Sequence, residues 1–230
     1  MIKAIYLRAW NVLKKKPFML WGISLLAGIL DFLGSILFGV IPGVGLAISF
    51  LLSTSMTMIY LRGYRGEEPK TEDLFACFKD KKVAIRVACG MGWMTLWIVL
   101  WALIPIVGIF FAINRAYAYR LTPYILVTEP DVSITQAIKV SRARTMGYKG
   151  KMFGAEVLFY VIVWAASLVF TLFARIPVIG VLFALVNALV SIAAGIFGPL
   201  FLGIVQAAFY EEISNPTMPI APQIPVNPQA

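Results

Sequence analysis

The sequence contains no histidine. That absence excludes imidazole metal sites, Ser-His triads and histidine proton relays. Cysteine is nearly as scarce. Cys77 and Cys89 stand twelve residues apart, which fits neither a C-x-x-C redox pair nor a zinc pair, so both read as reduced, unpaired thiols. Charge is sparse too: 13% of residues are Asp, Glu, Lys or Arg, against about 25% in ordinary soluble domains. Acid is the scarcer sign, with 11 Asp and Glu against 20 Lys and Arg. The basic residues fall in short segments beside apolar runs and form no nucleic-acid recognition motif, so no nucleic-acid partner is expected.

What is abundant is apolar surface. Hydrophobic residues make up 60% of the 230, more than a soluble fold could bury, and several runs reach the ~20 residues that cross a bilayer core of about 30 Å. The chain is therefore expected to be an all-α, polytopic membrane protein. Apolar runs fall at 17–40, 46–62, 83–104, 109–127, 152–175 and 181–209, which predicts six spans. The first is too long for a signal peptide, carries Asp31 and lacks a small-residue cleavage site, so it reads as a retained span.

One punctuation mark recurs between these runs. "IPGVG" (41–45), "IPIVG" (104–108) and "IPVIG" (176–180) each pair a proline that stops one helix with a glycine that permits the reversal into the next. Pro42 and Gly45, Pro105 and Gly108, and Pro177 and Gly180 are thus expected at the tips of three helical hairpins. Each hairpin is preceded by a charged segment suited to a cytoplasmic amphipathic interfacial helix. In the first, Ile2, Ile5, Tyr6, Ala9 and Leu13 share one face. The second, Thr71–Lys82, is expected to open on a Thr71 cap, and the third on a capping box of Ser133 and Gln136. The reading is a single membrane domain over 1–213, with repeats at about 1–62, 63–127 and 128–213, and a flexible Pro-rich cytoplasmic tail over 214–230.

Charge sets orientation. The tips carry almost none, while Lys14, Lys15, Lys16, Lys81, Lys82, Arg142, Arg144, Lys149 and Lys151 gather on the other side, which the positive-inside rule places in the cytoplasm with both termini. These residues are expected to form a face for anionic membrane lipid. Five charges fall inside spans: Asp31, Arg86, Arg115, Arg120 and Glu156. Counting from the tip prolines puts Asp31 and Arg115 both about 15 Å from the tip side. Asp31 is therefore expected to pair with Arg115, and Glu156 with Arg120 or Arg86, either as structural ties or as part of a substrate path; Arg86 and Arg120 could instead snorkel to headgroups. Gly195, Gly198 and Gly203 surround Pro199 in the last run, suiting either close helix packing or a hinge.

Within "AYAYRLTPYILVTEPDVSITQAIKVSRARTMGYKGKMF" (116–153), the order Tyr117-x-Tyr119, Pro123-Tyr124-Ile125-Leu126, Pro130, Ser133, Ala137, Ser141, Gly147-x-Lys149 and Phe153 resembles a broad group of bacterial six-span membrane proteins. That group is similar to the membrane domain fused to some glycerophosphodiester phosphodiesterases. The resemblance implies a location in the bacterial cytoplasmic (inner) membrane. It implies no phosphodiesterase chemistry, which belongs to a separate soluble domain with carboxylates and histidines. Asp31 and Glu156 lie at different depths without a histidine, so no enzyme activity, cofactor or metal is expected. The expected function is a scaffold or accessory subunit of a membrane assembly, whose partner is another membrane protein or a second copy. The alternative is a small transporter or lipid-handling protein that uses the intramembrane charges.

Overall fold

A computed structural model describes residues 1–15, 17–38, 43–105, 107–177 and 179–214. The elements run α1 (Ile2–Lys15), α2 (Pro17–Phe38), α3 (Val44–Arg65), a 3₁₀ turn (Thr71–Phe75), α4 (Ala76–Lys79), α5 (Lys81–Ala102), α6 (Gly108–Ala118), α7 (Thr122–Thr128), α8 (Ile134–Arg144), α9 (Lys149–Phe173) and α10 (Gly180–Ser214). Among the described residues there is no strand. Helices α2, α3, α5, α9 and α10 are long and apolar enough to cross a membrane. The protein is a membrane-embedded, multi-pass helical protein.

The fourth apolar run departs from the single span expected over 109–127. It forms two helices, and α6, with 11 residues, rises only ~16 Å, about half a bilayer core. Pro123, at the start of α7, is the reason: it has no N–H to continue the helix, and its ring would collide with the carbonyl four residues earlier. The chain turns at 119–121, where Thr122 N–H bonds Tyr119 O at 3.0 Å.

Two of the three proline-glycine tips can be compared. Val107 N–H bonds Pro105 O at 2.7 Å, and Ile179 N–H bonds Pro177 O at 2.9 Å. Gly108 N–H then reaches Ile104 O at 3.0 Å, and Gly180 N–H reaches Ile176 O at 2.8 Å. Glycine is required at both by close approach: a Cβ would lie 2.4 Å from Trp101 O at Gly108 and 2.2 Å from Ala174 O at Gly180. Pro42 lies outside the described residues. In the first tip Gly43 has φ +94°, the left-handed conformation that suits glycine, and Gly45 is already within α3.

The first and third segments before the long helices follow the expected chemistry, and the second departs from the single helix expected over Thr71–Lys82. In α1, Ile5, Ala9 and Leu13 are buried, as its periodicity predicts. At α8, Gln136 N–H bonds Ser133 Oγ at 3.4 Å and Ser133 N–H bonds Gln136 Oε1 at 3.3 Å, closing the capping box. Thr71, however, does not cap its segment. Asp73 reaches back to accept Lys70 N–H at 2.9 Å, so the chain enters a 3₁₀ turn. The segment is then broken at extended Asp80, whose carboxylate accepts Lys82 N–H at 2.8 Å to start α5.

The core lies toward the end where the basic residues gather. It is built from Leu51–Tyr64 of α3, Thr122–Leu126 of α7 and Gly198–Tyr210 of α10. Toward the tips the surface is apolar and open: Trp164 is 65% exposed and Leu189 66%. In a bilayer that surface meets lipid, so no aqueous exposure opposes it. Helix α10 runs unbroken through Pro199. Gly198 lies against Phe159, and at Gly203 a Cβ would stand 2.4 Å from the Tyr60 ring of α3. These two glycines serve close packing rather than a hinge.

Gly203→Val should therefore lower stability by about 1–3 kcal/mol, read as a fall in Tm in detergent. Adding Tyr60→Ala should restore part of that loss, whereas an unchanged Tm for the single variant would mean that the α3–α10 approach is not tight.

Candidate functional site

The break between α6 and α7 creates backbone groups that a continuous helix would have satisfied. Ala118 and Leu121 are buried, so such groups need partners within the protein. Ala118 O accepts from Ser141 Oγ at 2.9 Å and Thr145 Oγ1 at 3.1 Å, and Leu121 N–H donates to Ser141 Oγ at 3.2 Å. Both side chains come from α8 and its C-terminal cap, and both are buried. At the far end of α7, Arg86 from α5 donates through Nε to Leu126 O at 2.8 Å and through Nη2 to Glu129 O at 2.7 Å and to Val132 O. Arg86 thus caps a short helix instead of pairing with Glu156 or reaching for headgroups.

Tyr117 at the end of α6 and Arg120 in the break both reach Glu156 of α9. Arg120 Nη2 donates to Glu156 Oε1 and the Tyr117 hydroxyl to Oε2. Gln206 Nε2 of α10 adds a third donor to Oε1 at 2.9 Å. One carboxylate therefore joins α6, the break, α9 and α10. Tyr124 of α7 stacks on Tyr210 of α10 with ring centroids 4.5 Å apart, and Tyr210 shares a 2.9 Å hydrogen bond with Thr128. Among the described residues, Arg120 Nε and the Tyr124 hydroxyl are buried without a hydrogen-bond partner.

The expected Arg120–Glu156 pair is present. The Asp31–Arg115 pair is not among the ion pairs of the described residues: Asp31 accepts from Ser49 of α3, and the Arg115 guanidinium stands 5.1 Å from the Trp101 ring centre of α5. Helix α2 packs on α3 and α10, whereas α6 packs on α5 and α9, so Asp31 and Arg115 stand on helices that are not neighbours. Gln206 escaped sequence reasoning, although a lone amide within the apolar run at 200–209 was its signal. Asn187 was another: it accepts from Ser167 Oγ at 2.9 Å and donates to Thr171 Oγ1 at 3.2 Å, joining α9 and α10 nearer the tip.

The basic residues divide into two groups. Arg144 makes a two-pronged pair with Glu129 at 2.5 and 2.9 Å, which raises the guanidinium pKa above its usual value, and Lys149 donates to Asn114 at 3.1 Å. Arg65 bonds Glu211 at 2.9 Å. Lys14, Lys15, Lys81, Lys82, Arg142 and Lys151 are instead exposed; Lys16 lies outside the described residues. Among the described residues no three His, Cys, Asp or Glu side chains converge as metal ligands.

These features define a class: a multi-pass helical membrane protein with an interrupted segment, cross-helix polar ties and an exposed basic end. Comparison with protein-family models, curated proteins and solved structures finds no match.

Two outcomes follow. Glu156→Ala and Arg120→Leu should each lower Tm, and the double variant should lose less than their sum, with a coupling of about 1–3 kcal/mol; strict additivity would show that the pair contributes nothing. Asp73 titrates outside the spans. Burial pushes its carboxyl up, but the Lys70 N–H and Arg62 hold it below the usual value on balance. A depressed folded pKa stabilises above the unfolded value and is lost as pH falls through the folded one. Asp73→Asn should therefore lower Tm at pH 7, and the gap from wild type should close below about pH 4. A gap unchanged down to pH 3 would remove the Arg62–Asp73 tie from the account.

Proposed function

We propose that the protein is a non-enzymatic membrane scaffold or accessory subunit whose basic end engages anionic lipid of the bacterial cytoplasmic membrane. In this reading α6 and α7 together complete a bent fourth crossing. Six crossings then form three hairpins with their termini in the cytoplasm, and interfacial segments precede each hairpin. The family resemblance of 116–153 agrees with it, as does the shared hydrogen bonding of the second and third tips.

The observation that carries the proposal is how the charges are used. Arg86, Arg120 and Glu156 each bind parts of the protein to one another, whereas Lys14, Lys15, Lys81, Lys82, Arg142 and Lys151 are exposed at one end. A closed set of internal ties suits a rigid framework, and an exposed basic layer suits lipid headgroups. Of the tail expected over 214–230, Ser214 belongs to α10 and residues 215–230 lie outside the described residues. A transport or lipid-moving reading has one specific observation in its favour, the broken α6–α7 segment, since discontinuous helices commonly line substrate paths.

Native mass spectrometry of protein extracted in mild detergent separates the two. The scaffold reading expects bound anionic phospholipid, reduced in a Lys81→Ala/Lys82→Ala/Arg142→Ala variant, with or without a stoichiometric protein partner. It fails if no anionic lipid is preferred. A solute flux in vesicles that Glu156→Gln lowers by more than its loss of folded protein accounts for would establish the alternative.

A further inference from the structure

A groove of about 540 Å³ opens between α1, α9 and α10. Its size falls within the ~300–1,000 Å³ typical of small-ligand sites. From α1 come Tyr6, Trp10 and Lys14, successive residues at i, i+4 and i+8 on one stripe; from α9 comes Phe159; from α10 come the small residues Ala194 and Gly198. The lining on α10 extends from 193 to 201, about 12 Å along a membrane-crossing helix. The Tyr6 hydroxyl fastens α1 to α9 by donating to Ala155 O, so the wall on that side is anchored.

We propose that this groove holds one acyl chain of an anionic phospholipid of the leaflet at the basic end, with the headgroup phosphate at Lys14. This rests on the proposed engagement of anionic lipid at that end and names its site. The walls are apolar, and among the described lining residues Lys14 is the one that carries charge. Its ammonium lies 5.3 Å from the Trp10 ring centre, at the end of α1 where Lys15 adds a second positive charge. Ile162, a lining residue 54% exposed, leaves a side of the groove open to the surrounding lipid. A chain moving from bilayer to groove exchanges one apolar environment for another, so discrimination falls to the headgroup. A lysine near the surface gives about a fivefold preference for anionic lipid.

Trp10 reports occupancy directly. Vesicles of phosphatidylcholine would contain increasing fractions of dibrominated phosphatidylglycerol or dibrominated phosphatidylcholine, and subtracting the signal of Trp10→Phe isolates quenching of Trp10. Half-quenching should require about fivefold less brominated phosphatidylglycerol than brominated phosphatidylcholine. Lys14→Ala should erase that difference. Ala194→Phe, which fills the groove from a partly exposed position, should abolish saturable quenching by both lipids at unchanged Tm. Equal half-quenching in the wild type would overturn the proposal in favour of unselective lipid contact. Quenching relieved by raising the protein-to-lipid ratio would overturn it in favour of a second copy in the groove. Should mass spectrometry find anionic lipid retained through Lys81, Lys82 and Arg142 while Trp10 shows no preference, the groove fails and the broader reading stands; should neither show a preference, both fail.

Discussion

A peptide group buried away from water must find its hydrogen bond within the protein, and the fourth apolar segment is where that constraint acts. Pro123 prevents α6 from running into α7, so the carbonyl of Ala118 and the N–H of Leu121 turn to side chains on and beside α8. Those side chains, Ser141 and Thr145, fix a segment outside the long helices against the break. Arg86 does the same from the other side, using one guanidinium for carbonyls of Leu126, Glu129 and Val132. An α7 of seven residues would be marginal alone; its stability comes from these ties and from burial of Thr122–Leu126.

Beside the break, Glu156 gathers three donors. Tyr117, in the last turn of α6, and Arg120, three residues on in the turn, present their side chains on one side and reach one carboxylate. Gln206 then connects that carboxylate to α10, the helix that also receives the Tyr60 ring at Gly203 and stacks Tyr210 on Tyr124. Removing one member of such a set leaves a charge or amide uncompensated in a water-poor region, which costs more than one average hydrogen bond of about 1 kcal/mol. That asymmetry favours keeping the set complete.

Much of this was legible from sequence where local rules apply. Apolar length identified five of the long helices, the Ser133–Gln136 capping box identified the start of α8, and the Ile-Pro-x-Val/Ile-Gly pattern identified the turns at Gly108 and Gly180. Depth counting placed Glu156 near Arg120. It failed for Asp31 and Arg115 because residue counts measure height along a helix and say nothing of which helices are neighbours: α2 packs on α3 and α10, α6 on α5 and α9. Pro123 was visible, but its effect depends on whether distant side chains can satisfy the opened backbone, and Ser141 lies 20 residues from Leu121. The same distance problem hid Gln206, 50 residues from Glu156.

The two ends of the molecule are organised by different solvents. Near the tips, exposed Val181, Leu189 and Trp164 meet lipid tails, which are as apolar as the side chains, so exposure there needs no protein partner. Helices α9 and α10 are joined in this region by the amide of Asn187, between Ser167 and Thr171, and by stacked Phe173 and Phe183. At the basic end, charged side chains bind one another and the ends of helices. Arg62, Arg65 and Arg144 are held by Asp73, Glu211 and Glu129, which fixes the framework on which the exposed lysines stand. Recognition needs chemical contrast with the surroundings, and in this protein the contrast is concentrated at the basic end.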